Sequence, residues 1–332
     1  VLAVFWGVAL CVLWNGLHIP DENMPRAVAS VPALQPLTAV PPSGLAHEES
    51  APVPRENARI ANDSASIQAV AAATAPPSPP ARKKITVAEA WAPLIARLAA
   101  DGFTPSRLEA AFAALSSPPL PEFMGQKAVA LYSPYGTAAL ALPDAEKAAF
   151  APPDYSRNAG GVSVAAGRRV ITNNKQFFEG LFKRYGVPAP IIVAVMMVET
   201  GIGQNLGKQN ALLALGSMAV TSSLEQVLPV VSGITSRHEE MDDAIKARSD
   251  WAYNELKSLL SYAKETGREV WTIPGSVYGA IGICQFMPSN IPEYGVCASK
   301  KRPAPDVFIL TDAAASIAKY LSRHGWKKAL TP

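Results

Sequence analysis

The sequence predicts a mainly α-helical domain behind a long unstructured tether. Three observations carry this. Apolar residues recur at helical spacing through much of 85–332, Thr, Asn and Gly stand where helix caps belong, and a single stretch reads as strand. Prolines crowd the chain before the domain: of 30 in the protein, 12 lie between Pro20 and Pro80.

Residues 1–19 are apolar apart from Asn15 and His18. A bilayer span takes roughly 20 apolar residues and a signal-peptide core about 7–15, so the segment reads as either a signal peptide or a membrane anchor. The small-residue site "AVA" at Ala27–Ala29 lies far from the apolar run for cleavage, which favours a retained anchor. No initiator Met or basic flank precedes the run, as expected of an incomplete N-terminus. Cys11 lacks the small residue expected before a lipoprotein cysteine and reads as membrane filler. Residues 20–84, rich in Pro and Ala, sustain no apolar pattern; such chain buries little area and reads as a disordered linker.

The domain spans 85–332. "TVAEAWAPLIARLAADG" opens on the capping box Thr86–Glu89 and stops at Gly102; in "TPSRLEAAFAALS" Thr104 caps and Pro105 takes the first turn. "GGVSVAAGRRVIT" is the candidate for a small β-hairpin. "NNKQFFEGLFKRYG" is a helix with Asn caps and Gly186 as its stop, and the next helix runs from Pro188 to Gly201. "RSDWAYNELKSLLSYAKETG" is amphipathic through Trp251, Leu256, Leu259 and Leu260. The last helix is capped by Asp312 and stopped by Gly325.

A formal charge of +3 makes no strong field, so no nucleic-acid partner is expected. Three cysteines at these spacings, with no paired histidine, suggest no zinc site. Cys284 and Cys297 read either as two free thiols or as a disulfide, since the compartment is taken to be oxidising.

In "IIVAVMMVETGIG", residues 191–203, a carboxylate ends an apolar helix. Val195, Met196 and Val198 exclude water from Glu199, and the helix C-terminus adds partial negative charge; both raise its pKa. A glutamic acid lifted from about 4.3 toward about 6 keeps enough proton at neutral pH to act as a general acid on a glycosidic bond. A Glu at a helix end is ordinarily a solvated residue, so spacing alone leaves both readings open. In "GSVYGAIGICQFMPSN", residues 275–290, glycines permit close backbone approach, Ser276 and Gln285 offer neutral hydrogen-bonding groups, and Phe286 offers an apolar face. Sugars bind to such mixtures, although a Gly-rich helix junction has the same composition.

Three blocks, "GVPAPIIVAVMMVETGIGQNLGKQNALLALGSMA", "GSVYGAIGICQFMPSN" and "DAAASIAKYLSRHGW", resemble the membrane-bound lytic transglycosylase B family, in that family's order. With weaker similarity around "LIARLAADGF" and "MGQKAVALY" they cover most of residues 90–327. The resemblance implies a lysozyme-like helical fold and an enzyme, a lytic murein transglycosylase, that cleaves the MurNAc–GlcNAc β-1,4 bond of peptidoglycan without water. It implies Glu199 as the catalytic acid, Ser276 and Gln285 as substrate contacts and Tyr320 as a cleft tyrosine, with no cofactor; Phe286, read from its apolar face, is taken as a further substrate contact. Periplasmic location, peptidoglycan strands as partner and membrane attachment through the N-terminal segment follow as expectations. No protein partner is indicated.

Two departures from the family pattern matter. Where relatives run into an acidic calcium loop, "EYGVCASKKRPAPDVF" puts Cys297, three basic residues and two prolines, too few oxygens for a site of six or more ligands; no metal is expected. The segment before "GSVYG" lacks a "DYPRR"-like signature, and its acids Glu239, Glu240, Asp242 and Asp243 read as a solvated face, with His238 a surface residue. Should an acid enter the cleft, a hydrolytic muramidase becomes the rival; a non-catalytic peptidoglycan-binding protein is the other.

Overall fold

The structure, a computed structural model, describes residues 86–151 and 164–327. The apolar segment 1–19 and the linker 20–84 lie outside the described residues. Helix α1 (Val87–Ala100) opens on the expected capping box, with Thr86 N–H donating to Glu89 Oε2 at 2.8 Å and Glu89 N–H to Thr86 Oγ1 at 3.2 Å. After a turn at Asp101–Thr104 comes α2 (Pro105–Ala114), and Trp91 of α1 packs on Phe112 of α2 with ring centroids 4.8 Å apart. Thr104 stands at the N-cap but its hydroxyl makes no capping bond; Pro105 in the first turn sets the helix start.

Helices α3 (Glu122–Tyr132) and α4 (Asp144–Phe150) follow, then α5 (Val164–Asn173), α6 (Lys175–Tyr185) and α7 (Ala189–Thr200). The expected hairpin is overturned here, because 164–173 is helical; the start of that stretch lies outside the described residues. The reason is tertiary. Gly167 faces α7 so closely that a Cβ would stand 2.9 Å from Met197 Sδ, and its small size seats α5 on α7. Asn174 caps α6 by position only; its side chain donates back to Val170 O at 2.9 Å.

Helix α8 (Ala211–Val220) is apolar nearly all round and lies in the middle of the core, with Leu212, Leu215 and Met218 wholly buried. A one-turn α9 (Leu224–Val227) leads toward α10 (Glu239–Thr266), which packs along α8. Helix α10 begins nine residues before the sequence reading placed it, because Met241, Ile245, Ala252, Leu256 and Leu259 continue one buried stripe. Its acids Glu239, Glu240 and Asp242 occupy the first turn, where the helix dipole favours them. Asp242 is not merely solvated: it accepts from Leu224 N–H at 3.1 Å and Arg237 Nε at 2.8 Å. His238 caps the helix by position, stacked 3.9 Å from Tyr135.

The one-turn α11 (Ile291–Tyr294) and α12 (Leu310–Arg323) complete the order. The sequence reading made Asp312 the N-cap of α12, but Ile309 holds that position and Asp312 is a wholly buried residue of the first turn. The strands are two-residue pairings: β1 (Ala139–Leu140) runs antiparallel to β3 (Val231–Ser232), and β2 (Gln209–Asn210) to β4 (Pro274–Gly275). Both cysteines of the described chain are free thiols. No single helix among the described residues is long and apolar enough to cross a membrane.

Candidate active site

Glu199 is the penultimate residue of α7, which Gly201 ends in a left-handed conformation. Its residue is 5 % exposed, and burial alone pushes its carboxyl up to about 8. The solvated reading of this acid is therefore excluded. A carboxyl with that pKa holds a proton at neutral pH and can give it to a basic oxygen.

Beyond Glu199 the backbone is strained. Gly201, Ile202 and Gly203 all have positive φ (58°, 58° and 86°), a region a β-branched residue rarely enters. The turn is held by Thr200, wholly buried, whose Oγ1 donates toward Ile283 O at 3.0 Å and Met196 O at 3.3 Å and accepts from Gly203 N–H at 2.9 Å. Thr200 thus ties the acid-bearing helix to the Gly-rich block. A second tie lies at Gly207, where an added Cβ would stand 2.0 Å from Gly275 O. Only glycine lets these two backbones meet.

The Gly-rich block folds as a tight coil, with Ile281 bridged to both Gly275 and Phe286. Ser276 Oγ accepts from Tyr278 N–H at 3.2 Å and Ala280 N–H at 3.1 Å, so its hydroxyl is oriented by its own turn. Gln285 has φ 47°, and its amide donates to Gly282 O at 2.9 Å and Leu206 O at 3.4 Å. The preceding Cys284 is buried deeply enough that its thiol is pushed up to about 12, the charge of Glu199 adding to the effect. Phe286 lies 5.5 Å from the ring of Tyr320 on α12, which stacks on His324 at 4.0 Å and meets Tyr294 edge-on at 5.0 Å.

The structure thus brings the end of α7, the turn bearing Gln285 and the Phe286–Tyr320 pair to one region through Thr200, Cys284 and Leu206. Ser276 joins it through β4, which pairs with β2. The sequence reading missed Thr200, Glu255, Tyr294 and His324. Glu255 is 4 % exposed on α10 and its carboxyl is raised by burial, yet Ser289 N–H (2.9 Å) and Ser289 Oγ (2.6 Å) donate to its two oxygens. It anchors the end of the Gly-rich block. A buried Glu on an amphipathic stripe at 252, 255, 256 and 259 was the available signal.

A calcium cage does not fit the residues after this block. Both oxygens of Asp312 already accept bonds from Arg302, and the Cys297 thiol donates to Ser299 O at 3.0 Å. Among the described residues no three His, Cys, Asp or Glu side chains gather as a metal site. A separate groove of about 960 Å³ is lined by Phe103, Arg107, Lys264 and Trp271, among others, and includes none of the candidate residues.

The profile of the family described as "Transglycosylase SLT domain" matches residues 86–331. The chain belongs to that family. Among curated relatives, the membrane-bound lytic murein transglycosylase B of Escherichia coli K12 is 30 % identical over 144 residues, 43 % of this chain and 33 % of that protein. The chain therefore spans about a third of the length of that relative. Among solved structures it is similar to the E. coli lytic transglycosylase Slt35 in complex with bulgecin A, with TM-score 0.47 and 22 % identity over 72 % of this chain and 64 % of that one. It is also similar to SltB3 from Pseudomonas aeruginosa in complex with NAG-NAM-pentapeptide, with TM-score 0.48 and 21 % identity over 72 % and 54 %. The matched SLT domain contains all five candidate residues.

Proposed function

We propose that this SLT domain is a lytic murein transglycosylase, cleaving the MurNAc–GlcNAc β-1,4 bond of peptidoglycan with formation of 1,6-anhydromuramyl ends. Membership of the transglycosylase family and the likeness to the E. coli murein transglycosylase support the substrate class. The single observation that carries the reading is the state of Glu199, a deeply buried acid whose carboxyl is pushed up to about 8.

In the proposed sequence Glu199 protonates the bridging oxygen, which leaves as the C4 hydroxyl of GlcNAc. The N-acetyl oxygen of the muramic residue bonds to C1 and holds the positive charge. Glu199, now a carboxylate, takes the proton of the C6 hydroxyl as that oxygen bonds to C1 and displaces the acetamido oxygen. The acid ends as it began, and no water enters the balance. One carboxyl serves both steps, whereas hydrolysis by two carboxylates needs a second one about 5–9 Å away. Glu255, the other buried glutamate described here, has both oxygens engaged by Ser289. Gln285 and Ser276 supply edge contacts to sugar hydroxyls and amides, and Phe286 with Tyr320 supplies the apolar wall on which a pyranose stacks.

An envelope location, with residues 1–19 as signal or anchor and 20–84 as spacer, belongs to the same proposal. The test is mass spectrometry of sacculi digested by the native protein and by Glu199→Gln. Anhydro ends from the native protein alone support the reading; reducing ends, heavier by one water, make it a muramidase, and binding without product makes it a non-catalytic binder.

A further inference from the structure

The described chain carries a dense charge network outside the five candidate residues, in the irregular loop 295–309 between α11 and α12. Asp312, wholly buried, accepts from Arg302 Nη1 and Nη2 at 2.5 and 2.6 Å, from Asp306 N–H at 2.8 Å and from Ala298 N–H at 3.0 Å. Asp306 in turn accepts from Arg268 Nη2 at 2.7 Å, Tyr262 OH at 2.9 Å and Phe308 N–H at 3.0 Å. Two carboxylates therefore bind the end of α10, the loop and the start of α12 into one unit.

That unit touches the proposed site at two points. Ile283 N–H donates to Val307 O at 2.9 Å, two residues before Gln285. Ser316 accepts from Val296 N–H at 3.0 Å and donates to Asp312 O at 2.6 Å, on the helix that carries Tyr320. A wholly buried carboxylate without a counter-charge is strongly destabilising, and Arg302 supplies that charge with a fork matched to both oxygens. With four donors already on Asp312, a divalent cation could enter only by displacing the guanidinium.

We infer that Arg302 is a positioning residue for the proposed active site: its guanidinium is an internal cation that closes loop 295–309 on Asp312 and holds Val307 against the turn bearing Gln285. This rests on the reading of that turn as a substrate contact. The experiment compares wild type with Arg302→Ala by two readouts, hydrogen exchange at the Ile283 amide and the kinetics of anhydromuropeptide release from sacculi. Exchange at Ile283 rises about tenfold or more, kcat/KM falls by about tenfold, and millimolar guanidinium restores both in part. Calcium chloride changes neither readout in the wild type.

Unchanged exchange at Ile283 overturns the inference, as does unchanged turnover despite faster exchange, or acceleration of the wild type by calcium. If Arg302→Ala does not fold, Arg302→Lys decides by the same readouts, because an ammonium keeps the charge but lacks the planar two-nitrogen fork that meets both oxygens. A wild type that releases no product would sink the functional reading, and exchange at Ile283 would still decide whether Arg302 holds the turn.

Discussion

Two glutamates of this domain are buried almost equally, Glu199 at 5 % exposure on the tip of α7 and Glu255 at 4 % on the inner face of α10. Desolvation raises both carboxyls. They differ in what meets the oxygens. Ser289 gives Glu255 an N–H and an O–H, which favour the anion and oppose the effect of burial, while Glu199 is pushed up to about 8 with burial as the whole cause. Burial therefore does not make a general acid by itself. The donors of Ser289 make one buried acid a structural anchor, and desolvation keeps the proton on the other.

The largest effect should separate these two residues directly. Glu199→Gln should abolish release of anhydromuropeptides from sacculi while circular dichroism shows an intact fold. Glu255→Gln should keep kcat within about tenfold, yet lower stability in denaturant by about 1–3 kcal/mol, since the amide turns a donor toward the donors of Ser289. A Glu255→Gln variant as inactive as Glu199→Gln would erase the contrast.

Next in size is the tie between the acid and the Gly-rich block. Thr200→Val keeps the shape but removes the hydroxyl that meets Met196 O, Ile283 O and Gly203 N–H. Thermal denaturation should show a loss of about 1–3 kcal/mol, and steady-state kinetics a fall in kcat larger than any change in KM.

The pH dependence sharpens the comparison further. Between pH 4.5 and about 8 only the folded chain keeps the Glu199 proton, so this group's favourable contribution is complete below 4.5 and is lost as pH rises to about 8. Chemical denaturation should find Glu199→Gln gaining on the wild type by up to roughly 1.4 kcal/mol per pH unit across that window. The rate of the native protein should fall as pH rises through about 8; a rate that climbs there would show that the acid role lies elsewhere. The smallest effect is expected at Gln285, whose φ of 47° is strained for any side chain. In Gln285→Gly the relief of that strain is offset by loss of the amide's bonds to Gly282 O and Leu206 O, so thermal melts should shift by less than about 1 kcal/mol while KM for sacculi rises.

Much of the frame was legible. The box at Thr86 and Glu89, the stop at Gly186 and the apolar run before Glu199 are local signals, and each appears where the residues demanded it. Residues 164–172 misled, because Val and Ile favour strands in isolation, while in the fold Gly167 packs closely on Met197 and Val193 of α7. Asp312 looked like a helix cap because caps and buried carboxylates use the same residue type; only the position of Arg302 across the loop separates them.

The helices at 87–100, 105–114, 175–185 and 189–200 follow from the amino-acid sequence alone, since capping, proline placement and apolar spacing act within a few residues. So does the suspicion that Glu199 sits in an apolar setting. Tertiary structure decided that water is excluded from it, that Thr200 and Gly207 join its helix to the Gly-rich block, and that Ser289 claims Glu255 instead. Those outcomes depend on groups up to 83 residues apart in the chain. Solvation and hydrogen bonding act through space, and no local pattern records which distant atoms arrive.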